Sequence, residues 1–553
     1  MTAAKAGGTP PNRAGQILRL ILAAAVLHLV LVQPNHPAAM TWGALFVFPL
    51  ELPVILAALV AFGPGWPARA LRVALVAALV LIAVLKVADF AMFTALGRGF
   101  NPVADLPLVE AGLRLLHGSA GAALTVSAVA GALAATGAAA WLLWWATGVW
   151  AGIGRGRGVA RSSAVAAFVF AGVATAEVGE AMGRWSLPVT PPGAAFTARV
   201  GVERIGMAQA TLDRLRAFSV AAARDPFAGA EGLLDVIDRD VLIVFVESYG
   251  RTSIDTPLFA ATHRETLTRA EARLGELGVS MRSGFLRAPT RGGQSWLSHG
   301  TFANGLWIDN QTSYGAALAS GRETLFHVAA RSGFHTAAVM PQITLDWPEA
   351  AFMGFDTVLA AADLGYEGLP FNWVTMPDQF TLSALDRLLR DRPRDEPLFV
   401  QIALGSSHAP WVPVPDLIDW DEVGDGTAFN EMALSGDPPD VVWRDRDRVR
   451  DQYRQAVDYA LRTVFDYAAR HADDPPLMIV VGDHQAAGFV ALDERPDVPV
   501  HVIGPERLVA PAAEFGWRRG LVPAADGEVR GMDRMRDMIL EAWTSGAPRR
   551  SGS

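Results

Sequence analysis

The sequence predicts a chain in two parts, a five-helix transmembrane N-terminal domain followed by an α/β domain on a mostly parallel sheet. Three observations carry this. Apolar residues make up 51% of the 553 residues, more than a soluble protein of this length usually holds, and the excess falls before residue 185. Five apolar stretches there have the length, about 20 residues, that a helix needs to cross a bilayer. Beyond residue 240, short β-branched runs alternate with helical periodicity, the pattern of strands covered by helices on both faces. The expected division is a transmembrane domain over 1–184, a linker with an amphipathic helix over 185–235, and a folded domain over 236–545.

The spans are expected at 15–33, 41–63, 70–96, 121–150 and 160–182. The first lacks a small-residue cleavage site and is followed by further spans, so it reads as a retained anchor rather than a signal peptide. Lys5, Arg13 and Arg19 flank its start, and the next loop, near 33–40, has no Lys or Arg. Arg69 follows the second span, and Arg155, Arg157 and Arg161 follow the fourth. The positive-inside rule therefore sets the N-terminus in the cytoplasm, and five crossings set everything after about residue 185 outside. The loop 97–120, with Arg98 and Arg114, runs against that pattern. Glu51, Lys86 and Asp89 fall inside spans, where charge is costly. Lys86 and Asp89 have the spacing of a structural pair on one helix face. After Pro188, Pro191 and Pro192, the stretch 195–218 with Arg199, Arg204, Arg214 and Arg216 reads as an amphipathic helix. It either lies on the membrane surface or packs as a plain linker helix.

In the third part, strands are expected at 241–246, 336–339, 398–404, 477–481 and 498–503. Helices are expected at 265–277, 294–303, 323–332, 381–390 and 448–469. In such sheets ligands bind beyond the carboxyl ends of the strands, and polar clusters fall there. Glu247 ends the first strand, Ser406-Ser407-His408 follows the third, and Gly482-Asp483-His484 follows the fourth. The net charge of −9 provides no basic field for nucleic acid. The absence of cysteine excludes disulfides, thiolate metal sites and a cysteine nucleophile.

Glu247, Asp483 and His484 offer two carboxylates and an imidazole, a mixed oxygen and nitrogen set suited to Mn²⁺, Zn²⁺ or Mg²⁺. Singly, each could be no more than a helix cap or a turn. Together, at the ends of strands expected to share one sheet, they point to a site. Ser295 stands where the turn Arg291-Gly-Gly-Gln enters a helix. Gly292 and Gly293 let the backbone approach a ligand, and the helix N-terminus favours an anion. A cation there would lower the hydroxyl pKa and make Ser295 a nucleophile; otherwise it is an N-cap serine. His408, in Gly-Ser-Ser-His-Ala-Pro-Trp, is placed to hold a phosphoryl oxygen or protonate a leaving oxygen, or else simply to bond its own loop. His299, one helical turn after Ser295, reads as a surface or core residue, and Asp255, Asp378 and His501 are only guesses for a second metal site.

The motifs Val-Phe-Val-Glu247-Ser, Gly-Gly-Gln-Ser295-Trp, Ser-Ser-His408-Ala-Pro and Val-Gly-Asp483-His484, in this order after five spans, resemble the alkaline phosphatase/sulfatase superfamily. More closely they resemble its membrane-anchored branch of lipoteichoic acid synthases and phosphoglycerol or phosphoethanolamine transferases. The resemblance implies a multi-pass protein of the bacterial inner membrane with its catalytic domain on the periplasmic or extracellular side. It implies that Glu247, Ser295, Asp483 and His484 bind a divalent metal, with Mn²⁺ placed first. Ser295 would attack a phospholipid head group, release diacylglycerol, and pass the group to a glycan or polymer hydroxyl. His408, Gly293 and Trp296 would contact substrate. Two departures stand out. The branch commonly uses threonine where Ser295 stands, and the stretch 340–347 lacks the histidine and arginine expected there. The lack of disulfides favours glycerol phosphate over phosphoethanolamine. A formylglycine sulfatase is disfavoured, because the residues around Ser295 lack the required pattern. A phosphodiesterase-type hydrolase of the same superfamily, or a non-catalytic membrane protein retaining the fold, would also be compatible with these motifs.

Overall fold

The structure, a computed structural model, describes residues 13–96, 98–153, 156–372 and 375–546. Lys5 and Arg155, used above for orientation, lie outside them. The chain divides into two compact units, one ending at Arg214 and one beginning at Leu215.

The first unit contains α1 (Arg13–Val32), α2 (Glu51–Phe62), α3 (Trp66–Leu96), α4 (Leu106–Ala151) and α5 (Arg157–Ala181). Gly121, at φ 83°, breaks α4 and leaves Gly121–Ala151 as its long apolar part. Among the described residues, four helices are long and apolar enough to cross a membrane: α1, Trp66–Thr94, Gly121–Ala151 and α5. The second expected span, 41–63, is realised only in part. It gives a short 3₁₀ turn, Trp42–Phe46, and then α2 with 12 residues. At 1.5 Å per residue α2 reaches about 18 Å, short of a hydrocarbon core of about 30 Å. The chain leaves helical geometry between the two, where Ala194 N–H donates to the Phe48 carbonyl at 3.0 Å and Leu50 N–H donates to the Ala194 carbonyl at 3.1 Å.

Lys86 and Asp89 inside this unit are partnered, though not as the spacing suggests. Lys86, with no exposed surface, donates to the Leu31 carbonyl at 3.0 Å and to Thr197 Oγ1 at 2.8 Å. Asp89, equally buried, accepts from Arg204 at 2.7 Å, the Phe100 N–H at 2.9 Å and Asn35 at 3.1 Å. Thus Lys86 and Asp89 take separate partners instead of each other. Thr197 and Arg204 lie on α6 (Phe196–Ala222), inside which the boundary between the units falls. The N-terminal part of the expected amphipathic helix therefore turns buried polar side chains onto the membrane helices.

The second unit is organised by one sheet: β1 (Val241–Val246), β2 (Ser280–Arg287), β3 (His335–Met340), β4 (Thr357–Ala360), β5 (Leu398–Ala403), β6 (Leu477–Gly482), β7 (Asp497–Gly504), β8 (Arg518–Arg519) and β9 (Val529–Gly531). The order is β4-β3-β5-β1-β6-β7-β2-β8, with β9 also on β2. The five strands from β4 to β6 are parallel. β7 runs antiparallel to both β6 and β2, and β8 antiparallel to β2, so the sheet is mixed where a mostly parallel one is expected. The physical reason lies in the segment between β6 and β7. It holds only the single turn Gly488–Ala491 instead of a crossover helix, so the chain returns beside β6 in the opposite direction.

β1 lies between β5 and β6, and all its residues are buried. Leu242, Val244 and Val246 enter the core on one face, with residues of the helices Pro257–Glu276 and Arg446–Arg470. Val241, Ile243 and Phe245 enter the core on the other, with Phe302 and Met535. This is why its apolar run is continuous rather than alternating. It also fixes the carboxyl ends of β5, β1 and β6 side by side.

Candidate active site

Three loops leave those three strand ends. Val246 and Gly482 are register partners, so Glu247 and Asp483, the next residue on each strand, emerge together. The chain after β5 brings Ser407, whose hydroxyl donates to the Glu247 carbonyl at 2.6 Å. Packing here is tight: a Cβ on Gly482 would stand 1.9 Å from the Tyr249 carbonyl. Ser248 takes the left-handed conformation, φ 56°, uncommon for a non-glycine residue and frequent at functional turns.

Ser295 reaches the same point from β2. Gly292 N–H donates to the Gln485 carbonyl at 2.7 Å, tying its turn to the Asp483-His484 loop. Gly293 has φ +136°, which a side chain would strain, and no atom within 4 Å of a Cβ placed there. Gln294 occupies the N-cap in left-handed geometry, so Ser295 is the first helical residue and not the cap. Its hydroxyl instead donates to Glu247 Oε2 at 3.1 Å and lies 3.3 Å from His484 Nε2.

His484 Nε2 is 3.3 Å from Glu247 Oε1 and 3.7 Å from Asp483 Oδ2. Its Nδ1 faces the Gln485 carbonyl at 3.1 Å. A carbonyl only accepts, so Nδ1 carries a proton and Nε2 is the atom turned to the carboxylates. Asp483 Oδ1 accepts from the Ser248 N–H at 2.8 Å and from its neighbour His484 N–H at 2.6 Å, leaving Oδ2 for the site. One ligand atom from each of Glu247, Asp483 and His484 lies within 4.8 Å of the other two. A tetrahedral cation with ligands at about 2.1 Å needs donors about 3.4 Å apart, a spacing close to that around His484 Nε2. The residues therefore fit a divalent metal, with Ser295 Oγ in reach as a fourth donor.

Electrostatics point the same way. Burial raises the Asp483 carboxyl to about 8, and repulsion from Glu247 adds to this. Burial would depress His484, but Asp483 and Glu247 beside it prevail and raise it to about 9. Burial would also raise Glu247, yet His484 holds it below the ordinary carboxylate range. Without a cation, the cluster retains protons to limit its negative charge.

The other expected residues sit around this centre. His408 is partly buried, with Nδ1 2.6 Å from the Ala409 carbonyl, so Nδ1 is the donor and Nε2 is left for a ligand. Trp296 is partly exposed, and its indole donates to Gln311 at 2.9 Å. His299 is buried 4.1 Å from the Phe245 ring, and burial lowers it to about 4. Asp255 pairs with Arg251 and Arg495, while His501 lies mid-strand between Tyr249 and Ser283; neither is at the site.

Asp378 has a role that its sequence context does not signal. One oxygen accepts the N–H groups of Gly405 and Ser406 at 2.8 and 2.9 Å, and its own N–H donates to Ser406 Oγ at 2.9 Å. It thereby pins the loop that carries His408. Pro377-Asp378 at a helix start reads as ordinary helix initiation. Only the fold brings it beneath the loop after β5.

Fold and centre define a class: an α/β domain with a hydroxyl nucleophile candidate, two carboxylates and an imidazole gathered at the carboxyl ends of parallel strands. Residues 239–495, which contain Glu247, Ser295, Asp483 and His484, match the family model described as Sulfatase. A search among curated proteins finds no match. Among solved structures, the integral membrane protein lipooligosaccharide phosphoethanolamine transferase A (EptA) of Neisseria meningitidis aligns over 94% of this chain and 95% of its own, at 13% identity and TM-score 0.40. The lipoteichoic acid synthase LtaP of Listeria monocytogenes aligns over 59% and 81%, at 12% identity and TM-score 0.34. The phosphoglycerol transferase GacH of Streptococcus pyogenes aligns over 53% and 74%, at 12% identity and TM-score 0.32. At scores this low the likeness carries no argument about the present site.

Proposed function

We propose that the protein is a membrane-anchored, metal-dependent phosphotransferase. It takes the head group of a membrane phospholipid, glycerol phosphate before phosphoethanolamine, and passes it to a hydroxyl of an extracytoplasmic glycan or polymer. The observation that carries this reading is Ser295 Oγ, 3.1 Å from Glu247 and 3.3 Å from His484, within a donor set that fits a cation.

Glu247, Asp483 and His484 would hold the metal, Mn²⁺ before Zn²⁺ or Mg²⁺, with Ser295 as a further ligand. Bound there, the cation would lower the hydroxyl pKa and neutralise charge on the phosphoryl oxygens. Ser295 Oγ gives its proton toward Glu247 and bonds to phosphorus, and the diacylglycerol oxygen departs, leaving a phosphoester on Ser295. An acceptor hydroxyl then attacks the same phosphorus, and Ser295 leaves with its proton restored. With a proton on Nε2 as well as on Nδ1, His408 would donate to a phosphoryl oxygen or protonate the departing one, while Gly293 and Trp296 would border the substrate. Hydrolysis differs only in that water attacks the phosphoester, so dependence on an acceptor separates transferase from phosphodiesterase.

The positive-inside pattern supports a site outside the bilayer, a reading that requires the stretch 41–63 to complete a crossing despite the shortness of α2. A phosphatase reporter fused after residue 235 should be active; a silent phosphatase fusion with an active cytoplasmic reporter would reverse the orientation. The chemistry is tested with purified full-length protein and Mn²⁺ in vesicles of phosphatidylglycerol or phosphatidylethanolamine. Diacylglycerol release from one lipid is expected. Silence with both, in protein that binds metal, would remove the lipid donor from the proposal.

A further inference from the structure

The loops that carry His408 and His484 also meet in an aromatic cluster that the proposed chemistry leaves unused. Trp411 is buried behind His408, with its indole donating to the Ser407 carbonyl at 2.7 Å. It packs edge-on against Tyr453, whose hydroxyl donates to the Ser248 carbonyl at 2.9 Å. On its other side Trp443 lies parallel to it, ring centres 5.7 Å apart and planes within 5°. Trp443 is held in place, since its indole donates to the Pro410 carbonyl at 3.2 Å. Phe489, from the segment after His484, meets Trp443 at 6.0 Å and 64°. Arg450 fixes that turn by donating twice to the Phe489 carbonyl, at 3.1 and 2.9 Å. Yet Trp443 is 43% exposed and Phe489 41%. Two rings anchored to catalytic loops are thus kept rigid and left in water, where exposed apolar area is unfavourable by about 25 cal/mol per Å².

The surroundings restrict what would cover them. Arg444 pairs with Asp440 at 3.1 Å, and both are largely exposed; Arg450 pairs with the exposed Asp447 at 2.8 Å. Such charges beside the rings are poorly suited to entering bilayer hydrocarbon. Two rings offer far less than the roughly 1,200 Å² of a stable protein interface. A pyranose ring fits both features. Its C–H face meets the electron-rich face of an indole, and its peripheral hydroxyls find carboxylate and guanidinium partners.

We propose that Trp443 and Phe489 form a sugar-stacking ledge that receives a ring of the acceptor glycan beside the Ser407–His408 loop. This rests on the phosphotransferase reading for the meaning of the bound sugar, though not for its binding. The test begins with full-length Ser295→Ala protein, which binds without turnover, titrated calorimetrically with malto-, cello- and chito-oligosaccharides. At least one series should bind, roughly tenfold more weakly in Trp443→Ala, with Trp443→Phe retaining most of the affinity. In the Ser295-containing enzyme, Trp443→Ala should raise the acceptor KM, with Trp443→Phe close to the parent. Phe489→Leu serves as a second variant, and equal melting temperatures exclude a folding defect. No binding by any series, or binding indifferent to both rings, overturns the ledge. Ring-dependent binding in an enzyme that releases no diacylglycerol keeps the ledge and overturns the lipid reading instead.

Discussion

The buried charges at Lys86 and Asp89 in the membrane unit and those beyond β1 and β6 in the sheet unit are handled in opposite ways. In the membrane unit, Asp89 faces a guanidinium, a backbone N–H and an amide, and Lys86 faces a carbonyl and a hydroxyl. Every partner complements the charge, as a buried group needs in order to be structural. In the sheet domain, Glu247 and Asp483 are brought to one another with a single imidazole between them. A fold does not assemble like charges for its own stability, and such clusters mark functional sites. The largest expected effect follows from this contrast. Ser295→Ala should abolish head-group release, by about a thousandfold or more, since a phosphoester cannot form without the hydroxyl. Metal content by mass spectrometry should persist, because Glu247, Asp483 and His484 remain. Near-normal release by the variant would show that Ser295 is not the nucleophile.

The membrane unit should respond in stability rather than chemistry. Arg204→Met removes the guanidinium 2.7 Å from Asp89 and leaves a buried carboxylate short of its charged partner. Breaking such a pair costs about 3–5 kcal/mol, whereas exchanging both members for neutral groups costs much less. The Arg204→Met protein should therefore melt well below the parent in detergent, and Asp89→Asn combined with it should recover much of the loss. A single variant as stable as the parent would show that the pair is not structural.

Protons and metal should compete at the other cluster. With Asp483 raised to about 8 and His484 to about 9, the cation-free site is protonated on both at neutral pH. Binding a cation displaces those protons, so affinity should climb as pH rises toward 9, by about tenfold per unit for each proton released. Competition with a fluorescent chelator measures this. A flat profile would mean that these groups are not the ligands. Asp378→Ala should have a smaller effect, roughly tenfold on kcat, by freeing the loop that carries His408. Asp378→Asn, which still accepts the two N–H bonds, should restore most of it. If Asn proves as damaging as Ala, the effect is not one of loop position.

What the sequence reveals depends on whether a feature is local. β1, β5 and β6 are legible because strands covered on both faces must be continuously apolar, and β1 and β6 are followed directly by Glu247 and Asp483. β2, Ser280–Arg287, is not: Arg282 and Ser283 interrupt its pattern, and its pairing with β7 depends on distant chain. The antiparallel return of β7 is missed for the same reason, because strand direction is set by the connection rather than by composition. The second span shows a different limit: hydropathy reads one continuous segment over 41–63, but the backbone between Phe46 and Glu51 does not continue a helix. At the site, Glu247, Ser295, Asp483 and His484 are readable as chemistry-bearing types at strand and helix ends. Asp378 is not, because its meaning is a loop it meets only in the fold.

The smallest effect concerns a buried histidine outside both clusters. Ser283 Oγ donates to the Gly520 carbonyl, so it accepts from His501 Nδ1 at 2.7 Å, and Tyr249 donates its hydroxyl to His501 Nε2 at 3.2 Å. This arrangement requires neutral imidazole, and burial lowers His501 to about 3. The unfolded chain binds the proton at the ordinary value of 6.5, so the stabilising difference is complete above 6.5 and is lost as pH falls toward 3. The loss is at most about 1.4 kcal/mol per pH unit. His501→Gln keeps one donor and one acceptor without a titrating group. Its melting temperature should match the parent near neutrality and fall less steeply on acidification, the remaining slope coming partly from His299, which burial lowers to about 4. An equally steep acid limb in the variant would show that His501 is not what the acid attacks, and would shift the source of acid sensitivity to the carboxylate–imidazole centre itself.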